Sequence, residues 1–473
     1  MQSVVKEFLQ KSPADVIIVG AGLAGTECAW QLLKQGRKVA LIEQRPKRTT
    51  EAHTSAGFAE LVCSNSFKSS APDSAPALLK HELMRLDSLI MQAAQESQIP
   101  AGQALAVDRH RFSDWVSAQL RKHPNLEILE APVDHFEELL VPPPPPTLGG
   151  DLRPVVIATG PLTHHNLAES LKRLIGEQLY FYDAIAPIIA GDSINREIAF
   201  EQNRYDKNAE GQSGSAEGGD YLNCPLNEAE YFNFINELKT APKVDAHSFE
   251  KTIYFQGCQP IEAILERGDK SLAFGPMKPV GLTDPRTQQK PFAVLQLRKE
   301  DAEGRAWNMV GFQTKLKYPE QQRIFRMIPG LEKAEFYRLG SLHRNTYINS
   351  PAVLNENFGL KSHPLIHFAG QITGVEGYLE STAIGALVGR ILGLKLSGLG
   401  QAPLPPPTTA IGALAHAIIY GKIKNFQPMN INWGLVPLND IAERDKDKRN
   451  KLVQRAHRQF SHWAALFGMS PLK

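Results

Sequence analysis

The chain has little cysteine for its length: four in 473 residues, at Cys28, Cys63, Cys224 and Cys258. None forms a C-x-x-C pair, and no cysteine–histidine cluster has zinc spacing, so no metal site is expected. Scattered cysteines in a large chain point to a reducing compartment rather than a disulfide framework. Long apolar runs are also missing. No stretch approaches 18 apolar residues, which excludes a transmembrane helix. Met1 to Pro13 has no apolar core of the kind that drives secretion, so a cytoplasmic location is expected. Charge of one sign is lacking too. The formal net charge is +2, so any basic surface for a nucleic acid must be local.

The N-terminal region carries a compact βαβ pattern. Ala14–Gly20 (ADVIIVG) is an apolar run ending in glycine, which predicts a buried strand. Ala24–Gln35 has helical spacing and is stopped by Gly36. Lys38–Ile42 predicts a second strand, followed by Glu43. The turn between the first strand and the helix reads Gly20-Ala21-Gly22-Leu23-Ala24-Gly25, a G-x-G-x-x-G pattern. Gly20 permits the tight turn, Gly22 lets the backbone approach a pyrophosphate, and Gly25 allows the helix to pack closely. The helix N-terminus offers free N–H groups and partial positive charge to phosphate. Glu43 lies where an acid accepts the ribose hydroxyls. Strand, helix and acid together predict a dinucleotide site.

Two later segments favour FAD over NAD. Val155–Gly160 (VVIATG) is a strand entering a glycine turn. Leu365–Gly370 (LIHFAG) is another, followed by Gln371, Gly374, Gly377 and a helix of small residues. A second helix N-terminus there suits negative charge on a reduced flavin ring. Many flavoproteins carry Asp where this chain has Gln371. Elsewhere, Ala77–Gln98 predicts one long helix or a broken pair, and Arg111–Lys122 another helix. The proline run in 141–150 and the polar stretch 208–220 read as loops. The expected fold is α/β: an FAD/NAD(P)-binding, Rossmann-like parallel sheet domain made of residues 14–187 and 331–435. An inserted α/β substrate domain spans 188–330, and a charged helical tail 436–473.

Beyond these patterns the sequence resembles the folate- and FAD-dependent tRNA (uracil-5-)-methyltransferases of bacteria, the TrmFO (Gid) family. The matching stretches run through most of the chain. They include FAELVCSNSFKS (58–69), PAGQALAVDRHRF (100–112), FQGCQPIE (255–262), FGPMKPVGL (274–282), HRNTYINSP (343–351), AGQITGVEGY (369–378) and NFQPMNINWGL (425–435). The resemblance implies methyl transfer without S-adenosylmethionine. A carbon from 5,10-methylenetetrahydrofolate would pass to C5 of the T-loop uridine (position 54) of tRNA, with FAD carrying electrons and NAD(P)H restoring them. It also implies that Cys63 and Cys258 are catalytic, one as nucleophile and one in proton removal, with the assignment open. A thiolate adding to C6 of uracil makes C5 nucleophilic. On residue context alone, a free cysteine is more often buried and inert, and Cys28 and Cys224 read that way.

Folate has an acidic tail, and Arg109, Lys278 and Arg344 sit in matched motifs as substrate-binding candidates beside His343 and Asn345. Arg204 with Lys207, and the basic run Arg444–Arg458, are candidates for the phosphates of the tRNA T-arm. Such residues also commonly make internal ion pairs, and a charge run is commonly a solvated helix face. Two other readings are compatible with the motifs: methylation of a uridine in ribosomal RNA, or a tRNA-binding flavoprotein without chemistry. The second would need neither cysteine. The sequence leaves open the oligomeric state and the choice between NADH and NADPH.

Overall fold

The computed structural model describes residues 3–50, 52–144, 152–176, 179–204, 219–244, 259–398, 400, 403–424, 426–439, 441–442 and 444–467. Apolar β-branched runs form its first layer. Five parallel strands lie in the order Ile366–Phe368, Val155–Ile157, Val16–Val19, Val39–Glu43, Leu126–Glu130. Ile17 pairs with Ala40 on one side and Val155 on the other, and Ile366 pairs with Val155 in turn. The strand from near the C-terminus therefore closes the sheet begun at the N-terminus. The first, second and fourth of these strands in chain order, Val16–Val19, Val39–Glu43 and Val155–Ile157, are buried at every position, as parallel strands covered on both faces must be.

Two helices pack against each other over this sheet, and small residues set their distance. Leu23–Leu33 meets Tyr378–Leu396 along Gly385, Gly389 and Gly393. A Cβ on Gly385 would stand 2.3 Å from the Ala24 carbonyl oxygen, and one on Gly389 would stand 2.7 Å from that of Cys28. Only glycine tolerates such backbone contact. The predicted segment 77–98 is a broken pair, Ala75–Arg85 and Leu89–Glu96. The break has a local cause: Asp87 takes φ +53°, and the Ser88 hydroxyl caps the second helix at Met91 N–H.

A second core lies between the halves of the parallel-sheet unit. Six strands pair antiparallel in the order Phe200–Glu201, Tyr221–Leu226, Ala293–Lys299, Ala306–Met309, Ile188–Ala190, Phe336–Arg338. Helices Glu228–Thr240 and Tyr318–Phe325 bury Phe234, Ile235, Ile324 and Phe325 in this separate cluster. A two-stranded ribbon, Leu179–Ile185 with Ser341–Tyr347, connects the two units. The charged C-terminal helix, Lys448–Ala465, is docked. Leu452, Ala456, Phe460 and Trp463 join the main core, and the Trp463 indole donates to the Pro403 carbonyl. Among the described residues no helix is long and apolar enough to cross a membrane.

Candidate functional site

A cleft with about 1040 Å³ of open space runs across the C-terminal ends of the parallel strands. Ligands of open parallel sheets lie at this edge. Gly20, Gly22, Leu23, Ala24, Glu43, Gly160, Gln371 and Tyr378 line it, so residues from the beginning and end of the chain converge on one groove.

Each glycine of the first turn has a separate reason. Gly20 has φ +101°, and a Cβ there would meet the Ala158 carbonyl oxygen at 2.6 Å. Gly25 lies against the turn itself, where a Cβ would fall 1.8 Å from the Gly20 carbonyl oxygen. Gly22 differs. It starts the Leu23–Leu33 helix without a side-chain cap, and a Cβ there meets nothing within 4 Å. Space and free helix N–H groups coincide at Gly22, which is what a pyrophosphate requires. Gly160 also faces open space, with φ +71°. Gly370 lets its turn touch the Ala24 side chain, since a Cβ would stand 2.5 Å away. A Cβ on Gly374 would be 2.5 Å from the Phe426 ring, so this glycine fits the turn to its neighbour. Gly377, with φ +118°, precedes the Tyr378–Leu396 helix above the Lys68–Glu380 ion pair. Gln371 is held by its amide, which donates to Glu376 Oε2 at 2.5 Å.

Glu43 is 5% exposed and already partnered. Its Oε2 accepts the Ala21 N–H at 2.7 Å, and its Oε1 accepts from Arg45 Nε at 2.9 Å and Arg45 N–H at 3.1 Å. Burial alone would raise its pKa. The Arg45 guanidinium and the two N–H donors outweigh burial and hold it below the ordinary carboxylate value. Arg45 also donates to Glu60 Oε2 at 3.0 Å. His53, on the same wall, is pushed down to about 4 by burial and then by the Arg45 charge, so it is neutral at pH 7. Fixed N–H donors, an ionised acid at the second strand and an apolar wall of Val19, Ile42, Ala131 and Val133 fit a dinucleotide cofactor.

Cys63 lies in an irregular segment beside this cleft, partly exposed. The Tyr378 hydroxyl oxygen accepts the Cys63 N–H at 2.8 Å and the Ser64 N–H at 3.0 Å. Arg338 donates to the Val62 and Cys63 carbonyls at 2.9 and 3.2 Å. Arg109 donates to the Leu61 carbonyl at 2.9 Å and from Nε to Glu300 at 2.7 Å. Asn65, fully buried, donates to the carbonyls of Val107 and Lys299 and accepts from Arg298. Burial, with the Cys63 sulfur close by, raises the Tyr378 phenol above its ordinary value. Tyr378, Arg338, Asn65, Arg45 and Glu60 were not singled out from sequence. Tyr378 closes the AGQITGVEGY motif, so a signal for it existed. Arg338 lies in no motif.

The remaining candidates are distributed. Cys258 and Lys207 lie outside the described residues. Arg109, read as a folate ligand, directs its donors to Glu300 and Leu61. Lys278 sits half-buried in the antiparallel unit, in the loop after Ser271–Phe274, away from the cleft lining. His343 and Arg344 occupy ribbon positions opposite Asp183 and Tyr182, and buried Asn345 sits opposite Phe181. The next residue, Thr346, donates its N–H to the Pro161 carbonyl at the cleft wall. In the C-terminal run, Arg455 is buried on the carbonyls of Leu438 and Pro437, Arg449 pairs with Asp73, and Lys451 pairs with Asp445. Arg444, Lys446 and Arg458 are exposed. Arg204 donates to the Pro276 carbonyl. Cys28 and Cys224 are core residues, and burial pushes the Cys224 thiol up to about 12. Among the described residues no group of three His, Cys, Asp or Glu side chains is placed to hold a metal ion.

Comparison with known proteins agrees with this architecture. Residues 15–400 match the family described as glucose inhibited division protein A. The solved structure of Aquifex aeolicus GidA aligns with a TM-score of 0.65 at 14% identity, covering 97% of this chain and 76% of that one, which shows the shared fold. Three relatives named methylenetetrahydrofolate–tRNA-(uracil-5-)-methyltransferase TrmFO are far nearer in sequence. That of Geobacter sulfurreducens is 50% identical over 95% of this chain and 99% of its own length. That of Pelobacter propionicus is 49% identical over 94% of each chain. That of Bdellovibrio bacteriovorus is 50% identical over 95% of this chain and 98% of its own. The chain therefore belongs to the glucose inhibited division protein A family, within its TrmFO branch of methylenetetrahydrofolate–tRNA-(uracil-5-)-methyltransferases.

Proposed function

We propose that this protein methylates C5 of the T-loop uridine of tRNA in the cytoplasm, taking the carbon from 5,10-methylenetetrahydrofolate. The observation that carries the reading is one residue shared by two sites. Tyr378 lines the dinucleotide cleft and holds the Cys63 backbone. A nucleophile for uracil and a cofactor site are thereby adjacent, in a chain half identical to the named TrmFO enzymes.

In this reading, Gly20, Gly22 and the Leu23–Leu33 N-terminus hold the FAD pyrophosphate, Glu43 the ribose, and the Gly370–Gly377 turn the flavin end. Bound there, FAD in its reduced form supplies the two electrons that take the one-carbon unit from methylene to methyl, and NAD(P)H restores it. The Cys63 sulfur adds to C6 of uracil, and the C5–C6 electron pair becomes available at C5 to attack the carbon. A base then removes the C5 proton, the S–C6 bond breaks and the double bond returns. Cys258 is the proposed partner in that proton step, with the two cysteine roles open to exchange. The antiparallel unit, residues 188–330, is the proposed substrate domain. Lys278, His343, Arg344 and Asn345 are the candidates there and on the ribbon for folate and RNA. The exposed Arg444, Lys446 and Arg458 remain candidates for tRNA phosphates.

Nucleoside analysis tests the reading. Unmodified tRNA incubated with the protein, FAD, methylene-folate and NAD(P)H is expected to gain 5-methyluridine in the T-loop. No 5-methyluridine in tRNA, or its appearance only in ribosomal RNA, would overturn it.

A further inference from the structure

Cys63 belongs to neither helix nor strand, so no ladder fixes its backbone torsions. The peptide units on its two sides are held instead by side chains, each from both edges. In the unit joining Val62 to Cys63, the carbonyl accepts from Arg338 Nη1 at 2.9 Å and the N–H donates to Tyr378 Oη at 2.8 Å. In the unit joining Cys63 to Ser64, the carbonyl accepts from Arg338 Nη2 at 3.2 Å and the N–H donates to the same Tyr378 oxygen at 3.0 Å. Only φ and ψ of Cys63 separate these two planes. Fixing both planes fixes both torsions, and with them the point from which the sulfur projects.

The two holders come from different units. Tyr378 begins the long helix of the parallel-sheet unit, whereas Arg338 ends the edge strand Phe336–Arg338 of the antiparallel sheet. We propose that Arg338 is the positioning residue for Cys63, its planar fork setting the thiol only while the antiparallel unit is seated against the cleft. A guanidinium presents two parallel N–H donors in one plane, and an ammonium does not. Lysine at 338 would keep the charge and lose the simultaneous hold on both carbonyls. The proposal rests on the reading of Cys63 as the nucleophile. It adds a residue that touches no reacting atom, and it makes nucleophile geometry depend on how the two units sit.

The test is single-turnover trapping by the flavin-loaded protein, reduced and supplied with methylene-folate, on a T-arm RNA containing 5-fluorouridine. Sulfur adds to C6, C5 takes the methyl group, and fluorine at C5 cannot leave as a proton does. The S–C6 bond therefore persists through denaturation. Arg338→Lys is expected to slow adduct formation about 10- to 100-fold, the cost of a small misplacement of a reacting group. RNA affinity and bound flavin should stay within about twofold of the unaltered protein, since the hold on Cys63 contributes to neither. Arg338→Met should be slower still and partly recovered by added methylguanidinium. An Arg338→Lys protein that traps RNA at the unaltered rate would overturn the proposal. So would one whose flavin content and RNA affinity fall in proportion to its rate, because that marks a general structural role. If the unaltered protein forms no adduct that Cys63→Ala abolishes, the nucleophile reading itself fails, and this proposal with it.

Discussion

The dinucleotide cleft and the Cys63 segment adjoin each other and are built by opposite means. Backbone shapes the cleft: glycines at Gly20, Gly25 and Gly370 allow contacts that any Cβ would block, and a helix N-terminus supplies donors. Side chains shape the Cys63 segment: two arginines, a tyrosine and an asparagine hold it. The cleft should accordingly fail when atoms are added, and the Cys63 segment when atoms are removed.

The largest effect is expected at Gly25. Gly25→Val places atoms on the Gly20 carbonyl oxygen, forcing helix and turn apart. Stability should drop by about 4 kcal/mol or more, with loss of bound flavin, read by denaturant titration and by absorbance. Next comes Asn65→Ala, which leaves the buried carbonyls of Val107 and Lys299 and the Arg298 guanidinium without this partner. A loss of about 2 kcal/mol is expected. Adduct formation should suffer more than flavin binding, and the reverse pattern would break the comparison.

Gly22→Ala sharpens it further. Its Cβ meets no protein atom and its φ is −76°, so the apoprotein should keep its stability within about 0.5 kcal/mol. Flavin affinity should fall about tenfold or more, because the added methyl enters the space meant for phosphate. An unchanged flavin affinity would remove the pyrophosphate from Gly22. The smallest effect concerns pH. His53 has its pKa pushed from 6.5 to about 4 in the folded state. Between these values the unfolded chain binds the extra proton, so this contribution is full above about pH 6.5 and lost as pH falls towards 4. His53→Gln should flatten that part of the apoprotein melting profile, by a difference on the order of 1 kcal/mol for a partly exposed ring.

The same contrast explains what was legible beforehand. The turn Gly20–Gly25 and the acid Glu43 lie within one βαβ unit, so local spacing exposes them. The return of Leu365–Gly370 to the sheet was readable because a strand-and-turn pattern repeats. The partners of Cys63 lie 48, 276 and 315 residues along the chain, at Arg109, Arg338 and Tyr378. No local period marks such a tether, and arginines within a matched motif invite a ligand reading. Arg109 shows the consequence: its donors point at Glu300 and a backbone carbonyl. The C-terminal run teaches a similar lesson. Its charges were plain in the sequence. The apolar stripe Leu452, Ala456, Phe460 and Trp463, which docks the helix, lay beneath them.

The central claim is that carbon from folate reaches tRNA through Cys63 beside the cleft. The most direct measurement follows an isotopically labelled methylene carbon from 5,10-methylenetetrahydrofolate into tRNA, comparing the unaltered protein with Cys63→Ala. The account predicts label in 5-methyluridine of the T-loop with the unaltered protein and none with Cys63→Ala, although that variant keeps its flavin. Label transfer undiminished by Cys63→Ala, or a methyl group that carries no folate label, would contradict it.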